Sequence, residues 1–217
     1  MTNHLAPQLP GLRALPLGDD RGWASNLLTA LDHCPGDHVL YLQDDYFLQS
    51  QVDAPRLAEI LAFARRQDAG YVRLAGGPDP DRAHANRLGL GSLSAGAAYR
   101  CSLQAALWRT DVLRSLLEPG ETGWQMELRG TERSRTLRAP FFATRQREPV
   151  FDYYDFTGIM KGAWVPGALR LCRREGVPVD TSLRGVHSEW RFLVKRFRNL
   201  KAIRQCRGWW KQLRRAG

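Results

Sequence analysis

The chain has 217 residues and a formal net charge of +10, with ordinary apolar and charged fractions of 43% and 25%. Those values exclude a collagen-like, low-complexity or disordered chain, and no apolar run approaches the ~20 residues needed to span a bilayer. The length accommodates one domain with a substantial core, or one domain with an appendage.

The charge is localised. Between Trp190 and Gly217 there are ten basic residues and no acid, which leaves the body balanced at 22 basic against 22 acidic residues. That distribution argues against a protein coated evenly for nucleic acid and for a specialised C-terminal segment. Cys34, Cys101, Cys172 and Cys206 are scattered without a CxxC pair. Neither a zinc cluster nor a disulfide framework is expected, and a reducing compartment fits. Met1 to Pro16 lacks a basic region followed by an apolar one, so no signal peptide is expected.

In chain order, Leu12 to Leu17 reads as a first strand. Trp23, Leu27, Leu28 and Leu31 recur at helical spacing, and Cys34-Pro35-Gly36 stops that helix. Val39 to Leu42 is a short apolar run that predicts a strand buried on both faces, as in a parallel sheet. After Asp53-Ala54-Pro55 a helix is predicted to about Gln67, then a strand at Tyr71 to Leu74. This alternation predicts βαβ units and a mostly parallel sheet. Residues 75–98 are rich in Gly, Pro, Asp and Ala and read as a binding loop or lid, or as a disordered loop. A short helix is expected from Asp111 to Leu117, a helical turn or two at 121–127, an edge strand from Pro149 to Tyr154, and a helix from Pro166 to Glu175 closed by Gly176.

Two adjacent acids, Asp44 and Asp45, follow the Val39–Leu42 run. Ligands of open α/β sheets bind beyond the carboxyl ends of strands, and two carboxylates there suit a divalent cation that shares phosphate oxygens with a substrate. The same pair also suits a helix or turn cap, and the local sequence alone leaves both readings open.

Val39-Leu40-Tyr41-Leu42-Gln43-Asp44-Asp45-Tyr46-Phe47-Leu48 resembles the metal-binding strand end of GT-A glycosyltransferases. Tyr99 to Arg109, containing Ser102-Leu103-Gln104-Ala105-Ala106-Leu107-Trp108, resembles the acceptor side of a bacterial family-2-like branch; Gly120 to Glu127, containing Trp124-Gln125-Met126-Glu127, resembles its catalytic segment. Trp164, after Lys161-Gly162-Ala163, fits the same branch. The ordered set covers roughly residues 12–185 and is more specific than any one piece.

The resemblance implies a GT-A, Rossmann-like domain over residues 1–186, with a mostly parallel sheet flanked by helices. It also implies hexosyl transfer from a UDP- or GDP-linked sugar with Mg²⁺ or Mn²⁺. By the family pattern Asp45 reaches the metal and Asp44 ligates it or orients the donor, although Gln43 replaces the first acid of the usual Asp-x-Asp. Glu127 stands as general base and Trp124 as a sugar platform, three residues apart and so on one helical face. Trp124 as core and Glu127 paired with Arg129 or Arg133 is the competing reading. Gln104 and Trp108 are acceptor-side candidates. His187 is a candidate metal or diphosphate ligand, and Arg100, Arg109, Arg133 and Lys161 are candidate diphosphate contacts; for each, the role of a surface charge, cap or ion-pair partner outweighs the ligand role. The nucleobase-binding unit that usually opens this fold is expected to be shortened here, with room before Trp23 for one strand.

Residues 187–217 form the expected appendage. Trp190, Leu193, Val194, Phe197 and Leu200 share one helical face, and Ile203, Cys206, Trp210 and Leu213 a second, with a break between. Basic residues interleaved with aromatics suit the surface of an anionic membrane, and also a helix docked on the body or on another subunit with its basic face in water; the membrane is the favoured reading. The expectation is therefore a cytoplasmic enzyme, peripheral on the inner face of the membrane, that acts on a glycan or lipid-linked acceptor in bacterial surface polysaccharide synthesis. A non-catalytic scaffold of the same fold, and a nucleic-acid binder that uses the tail, are the alternatives; the neutral body disfavours the second.

Overall fold

The structure is a computed structural model that describes residues 10–83, 86–154 and 157–188. The chain divides into two compact units. The first holds residues up to Asp44 together with Leu48–Tyr153, and the second holds Asp45–Phe47 together with the chain from Tyr154 onward. The described part of the expected 1–186 domain therefore falls in two units, with one boundary between the two adjacent acids.

In the first unit the elements are α1 (Trp23–Asp32), β1 (His38–Tyr41), α2 (Ala54–Arg66), β2 (Tyr71–Arg73), β3 (Arg82–Ala83), β4 (Leu90–Ser92), β5 (Ala106–Arg109), α3 (Thr110–Leu116), α4 (Gly123–Ser134) and β6 (Phe141–Thr144). The sheet runs β1-β5-β2-β6-β4-β3. Only β2 and β6 pair in parallel; the other neighbours are antiparallel. The α/β class holds, but the sheet is mixed rather than mostly parallel. The reason is β5, which inserts between β1 and β2 and opposes both.

Alternation along the strands builds the core. Tyr71, Ala106, Trp108, Phe141 and Ala143 pack with α1, α3 and α4 through Leu27, Leu31, Leu113, Leu116 and Met126. Val72, Leu107 and Phe142 face the other way, onto Ile60, Phe63 and Ala64 of α2. Each large apolar side chain removed from water in this way contributes about 1.5–3 kcal/mol. Val39 and Tyr41 of β1 join the first face, whereas Leu40 is 39% exposed. The expected doubly buried strand is thus an edge strand with one face open.

Three further expectations change. No strand forms at Leu12–Leu17. Residues 149–154 make no strand either: Val150 and Phe151 are consecutive and both buried, and both N–H groups reach the Leu74 carbonyl, at 2.8 and 3.2 Å. Such pairing breaks the two-residue alternation of a ladder. The 75–98 stretch is built into the sheet through β3 and β4, with Leu88, Leu90, Leu93 and Ala97 buried. The Asn86 carboxamide holds Leu88 N and Leu90 N at 2.9 and 3.2 Å. A free lid over a donor does not describe it.

The second unit contains β7 (Ile159–Met160), β8 (Ala163–Trp164) and α5 (Pro166–Arg174). Lys161 and Gly162, with φ of 49° and 79°, turn the β7–β8 hairpin. α5 starts on Pro166 and is followed by Gly176 at positive φ, close to the expected bounds. The tail from residue 189 lies outside the described residues, and so do the expectations made for it.

Candidate functional site

In the first unit, the carboxyl end of β1 delivers Tyr41, then Gln43 and Asp44. α4 approaches from the face of the first core cluster. Its start is fixed by a reciprocal cap: the Thr122 hydroxyl accepts from Gln125 N at 3.2 Å, and the Gln125 side-chain oxygen accepts from Thr122 N at 2.9 Å. Such caps are worth about 1 kcal/mol and set where the first turn lies. Gly123 opens the helix against Leu103, whose Cδ1 would stand 3.0 Å from any added Cβ. That close approach brings Glu127, one turn on, to the segment leading into β5.

Glu127 is the centre of the site. Its Oε1 accepts from the Ser102 hydroxyl at 3.0 Å and from Leu103 N at 2.8 Å. Ser102 and Leu103 are buried, while Glu127 is half-buried. One oxygen is therefore saturated and the carboxylate direction is set, with Oε2 left for other work. The Tyr41 hydroxyl accepts from Trp23 Nε1 at 3.2 Å. Burial pushes the Tyr41 phenol up, and the nearby carboxylates of Asp44 and Glu127 add to the rise against hydrogen bonds from Trp23 and Gln43. Tyr41 thus stands within electrostatic reach of both acids. Trp124 on α4 is 67% exposed, which rules out its core reading. Arg129 and Arg133 both pair with Glu121 and not with Glu127.

Other candidates are placed in structural roles. Trp108 is fully buried among Tyr71 and Phe141, with ring centroids 4.2 and 6.2 Å away, and offers no surface to a substrate. Arg100 is 4% exposed, lies 4.0 Å over the Phe141 ring and donates to the Ser134 carbonyl. Burial lowers its pKa. Arg133 forks onto Glu121 at 3.0 and 2.6 Å and also reaches the Leu116 carbonyl. Arg109 is held by Asp111 and Asp68. Residue type alone does not reveal such burial, because carbonyls, a ring face or one unremarked acid can each satisfy a guanidinium. Gln104 is half-buried, and its Oε1 has no hydrogen-bond partner.

The second unit carries Asp45, Lys161, Trp164 and His187. Thr157 Oγ1 lies 2.8 Å from both Asp45 Oδ2 and the Ile159 carbonyl, and its single proton serves one of them at a time. The Gly158 N–H donates to the Asp45 carbonyl. His187 Nε2 is 2.7 Å from the Met160 carbonyl, so this nitrogen carries the proton and donates; only Nδ1 remains for a ligand. Trp164 stacks on Phe47 at 6.3 Å and 13°. Lys161 is exposed at the hairpin tip.

Among the described residues no group of three or more His, Cys, Asp or Glu side chains is arranged to hold a metal ion. A cation that keeps water and takes phosphate oxygens needs only one or two carboxylates. Asp44 in the first unit is exposed and Asp45 Oδ1 in the second makes no hydrogen bond among the described residues, so each by itself leaves oxygen of the kind a hard cation takes.

Tyr41, Ser102, Glu121 and Thr157 were not singled out in the sequence. Alternation from Val39 places Tyr41 on the core face, and the Ser102-Leu103 step lies inside a quoted motif. Nothing in the sequence signals Thr157. No protein-family model, curated protein or solved structure matches this chain.

Proposed function

We propose that this chain is a metal-dependent, inverting glycosyltransferase of the GT-A type. It moves a hexose from a UDP- or GDP-sugar to a glycan or lipid-linked acceptor in bacterial surface polysaccharide synthesis. One observation carries the reading. Two segments separated in sequence, Ser102-Leu103-Gln104 and Trp124-x-x-Glu127, meet through the Glu127 carboxylate, within electrostatic reach of Tyr41 at the carboxyl end of β1, which Asp44 also reaches.

Glu127 Oε2 takes the proton of the acceptor hydroxyl as that oxygen bonds to the anomeric carbon from the face opposite the leaving group. The bond from that carbon to the diphosphate oxygen breaks, and the nucleoside diphosphate leaves with the electron pair. Asp45 and Asp44 would hold Mg²⁺ or Mn²⁺, which would supply charge stabilisation to the departing diphosphate. Ser102 and Leu103 keep the base aimed, and Trp124 offers an indole face to a sugar. No helix among the described residues is long and apolar enough to cross a membrane. The basic 187–217 segment is the proposed contact with an anionic inner-membrane surface.

A non-catalytic binding protein of the same fold is the second reading, favoured by the structural roles of Arg100, Trp108 and Arg133. Calorimetric titration of UDP and GDP with and without Mn²⁺, into the wild type and Asp45→Ala, separates the two. Metal-dependent binding that disappears in the variant is the expected result. Absence of nucleotide binding in every condition refutes the transferase reading.

A further inference from the structure

We infer that the Gly76–Gly77 turn beyond β2 is an oxyanion site, and that it takes a carboxylate or phosphate group of the acceptor. Assignment to the acceptor rests on the glycosyltransferase reading; the oxyanion site does not.

β2 ends at Arg73, and the paired row across the sheet at this level runs Tyr41, Ala106, Arg73, Ala143, Gly91. Paired residues point to one face, so Arg73 shares a face with Tyr41 and is flanked on both sides by a methyl group. That leaves room for a guanidinium, and Arg73 is fully buried there. Nη1 donates to the Tyr99 carbonyl at 3.2 Å, Nη2 donates to the Pro78 carbonyl, and Nε has no partner. Among the described residues no carboxylate pairs with it. An arginine cannot shed its proton to escape this, so the fold carries an expensive positive charge without a counter-ion.

The turn above that charge is built of two glycines with φ of 55° and 78°. A Cβ on Gly77 would stand 2.8 Å from the Arg73 guanidinium carbon, and one on Gly76 would stand 1.6 Å from Gln104 Oε1. Neither glycine N–H donates a hydrogen bond among the described residues. Gln104 Oε1 is buried and also unpartnered. Half a turn of that carboxamide puts an NH₂ where the orphan oxygen stands. Consecutive N–H groups that donate to no described residue, an amide able to donate and a fixed positive charge are the groups with which a turn binds an anion.

Its place fits the acceptor. β1 and β2 both oppose β5, so their carboxyl ends share one edge of the sheet. Asp44 follows one and Gly76 the other, two inter-strand steps of about 4.8 Å apart. Between them lies the segment leading into β5, to which Glu127 is tied. A donor on the Asp44 side and a base in the middle leave the Gly76–Gly77 side to the molecule whose hydroxyl is deprotonated.

The test is an NMR titration of the ¹⁵N-labelled full chain at constant ionic strength, with inorganic phosphate and sodium glucuronate as separate probes and chloride as the control. The Gly76 and Gly77 amide signals are expected to shift saturably with phosphate, with glucuronate or with both, and to stay still with chloride. A phosphate-only response assigns a phosphorylated acceptor, and a glucuronate-only response an acidic sugar. Gly77→Ala abolishes the response. Gln104→Leu, which leaves the turn intact, weakens it roughly three- to tenfold. No saturable shift at these amides with either probe overturns the site, as does a response that Gln104→Leu leaves untouched. Neither result bears on metal-dependent nucleotide binding at Asp45, so failure here and failure of the transferase reading are distinguishable.

Discussion

Substituting Glu127 by glutamine and by alanine separates the proposed catalytic role of this side chain from its structural one. The carboxylate accepts from a buried hydroxyl at 3.0 Å and a buried N–H at 2.8 Å through the same oxygen. Glutamine keeps an oxygen there, so both donors remain satisfied and only the charge assistance is lost, at a cost of about 1 kcal/mol or less. Alanine removes the acceptor. Ser102 and Leu103 are 6% and 2% exposed, so water reaches these donors poorly. Each orphaned donor costs about 1–3 kcal/mol, and partial relaxation brings the sum to about 2–4 kcal/mol. Urea unfolding of the two variants measures that difference. Transfer is expected to fall about 10²- to 10⁴-fold in both, because neither side chain accepts a proton. Turnover near wild type in Glu127→Gln refutes the base assignment. Equal destabilisation by the two variants refutes the reading of the hydrogen bonds.

The ion pair between buried Glu121 and half-buried Arg133 is expected to make stability pH-dependent. The Arg133 guanidinium holds the Glu121 carboxyl below its ordinary value. Its contribution is therefore present above the unfolded pKa and lost as pH falls through the folded one, so the urea midpoint declines on acidification below about pH 4.5. Glu121→Gln is expected to flatten that decline, and an unchanged pH profile refutes the link. Burial pushes the Cys101 thiol up to about 12. Iodoacetamide at neutral pH followed by peptide mass spectrometry should therefore find Cys101 unmodified in the folded chain and modified in urea. Rapid native labelling of Cys101 would show that its packing is wrong.

Local pattern made several elements legible. The spacing of Trp23, Leu27 and Leu31 and the Asp53–Pro55 start announced α1 and α2, and the Asp53 side chain does cap Arg56 N at 3.0 Å. Pairing over long sequence distances was not legible. Nothing in Ala106–Arg109 says that it inserts between two strands laid down much earlier, and that insertion turns a parallel expectation into a mixed sheet. The apolar run at Val39 looked central because both alternating sets are apolar, but α2 packs on Val72, Leu107 and Phe142 and leaves Leu40 half open. Among the candidate residues, Glu127 and Trp124 followed from motif order. Arg100 and Trp108 lie in the acceptor-side segment yet are buried in the core, and Arg133, beyond the catalytic segment, pairs with Glu121, because side-chain burial depends on which element neighbours which.

The paired row Tyr41–Ala106–Arg73–Ala143 suggests why a sheet this small tolerates an uncompensated arginine. Alanines on either side make the space, and the carbonyls of Tyr99 and Pro78 receive two of the guanidinium's nitrogens. Carbonyl dipoles solvate a cation without neutralising it, so its field persists at the carboxyl edge. At the far end of that edge stands Asp44, of opposite sign, which attracts phosphate only through a cation. On the proposed reading one edge carries two anion-attracting places by different means: a metal-dependent one beyond β1 and a metal-free one beyond β2. Glu127, the proposed base, sits between them, tied through Leu103 to the segment that leads into β5.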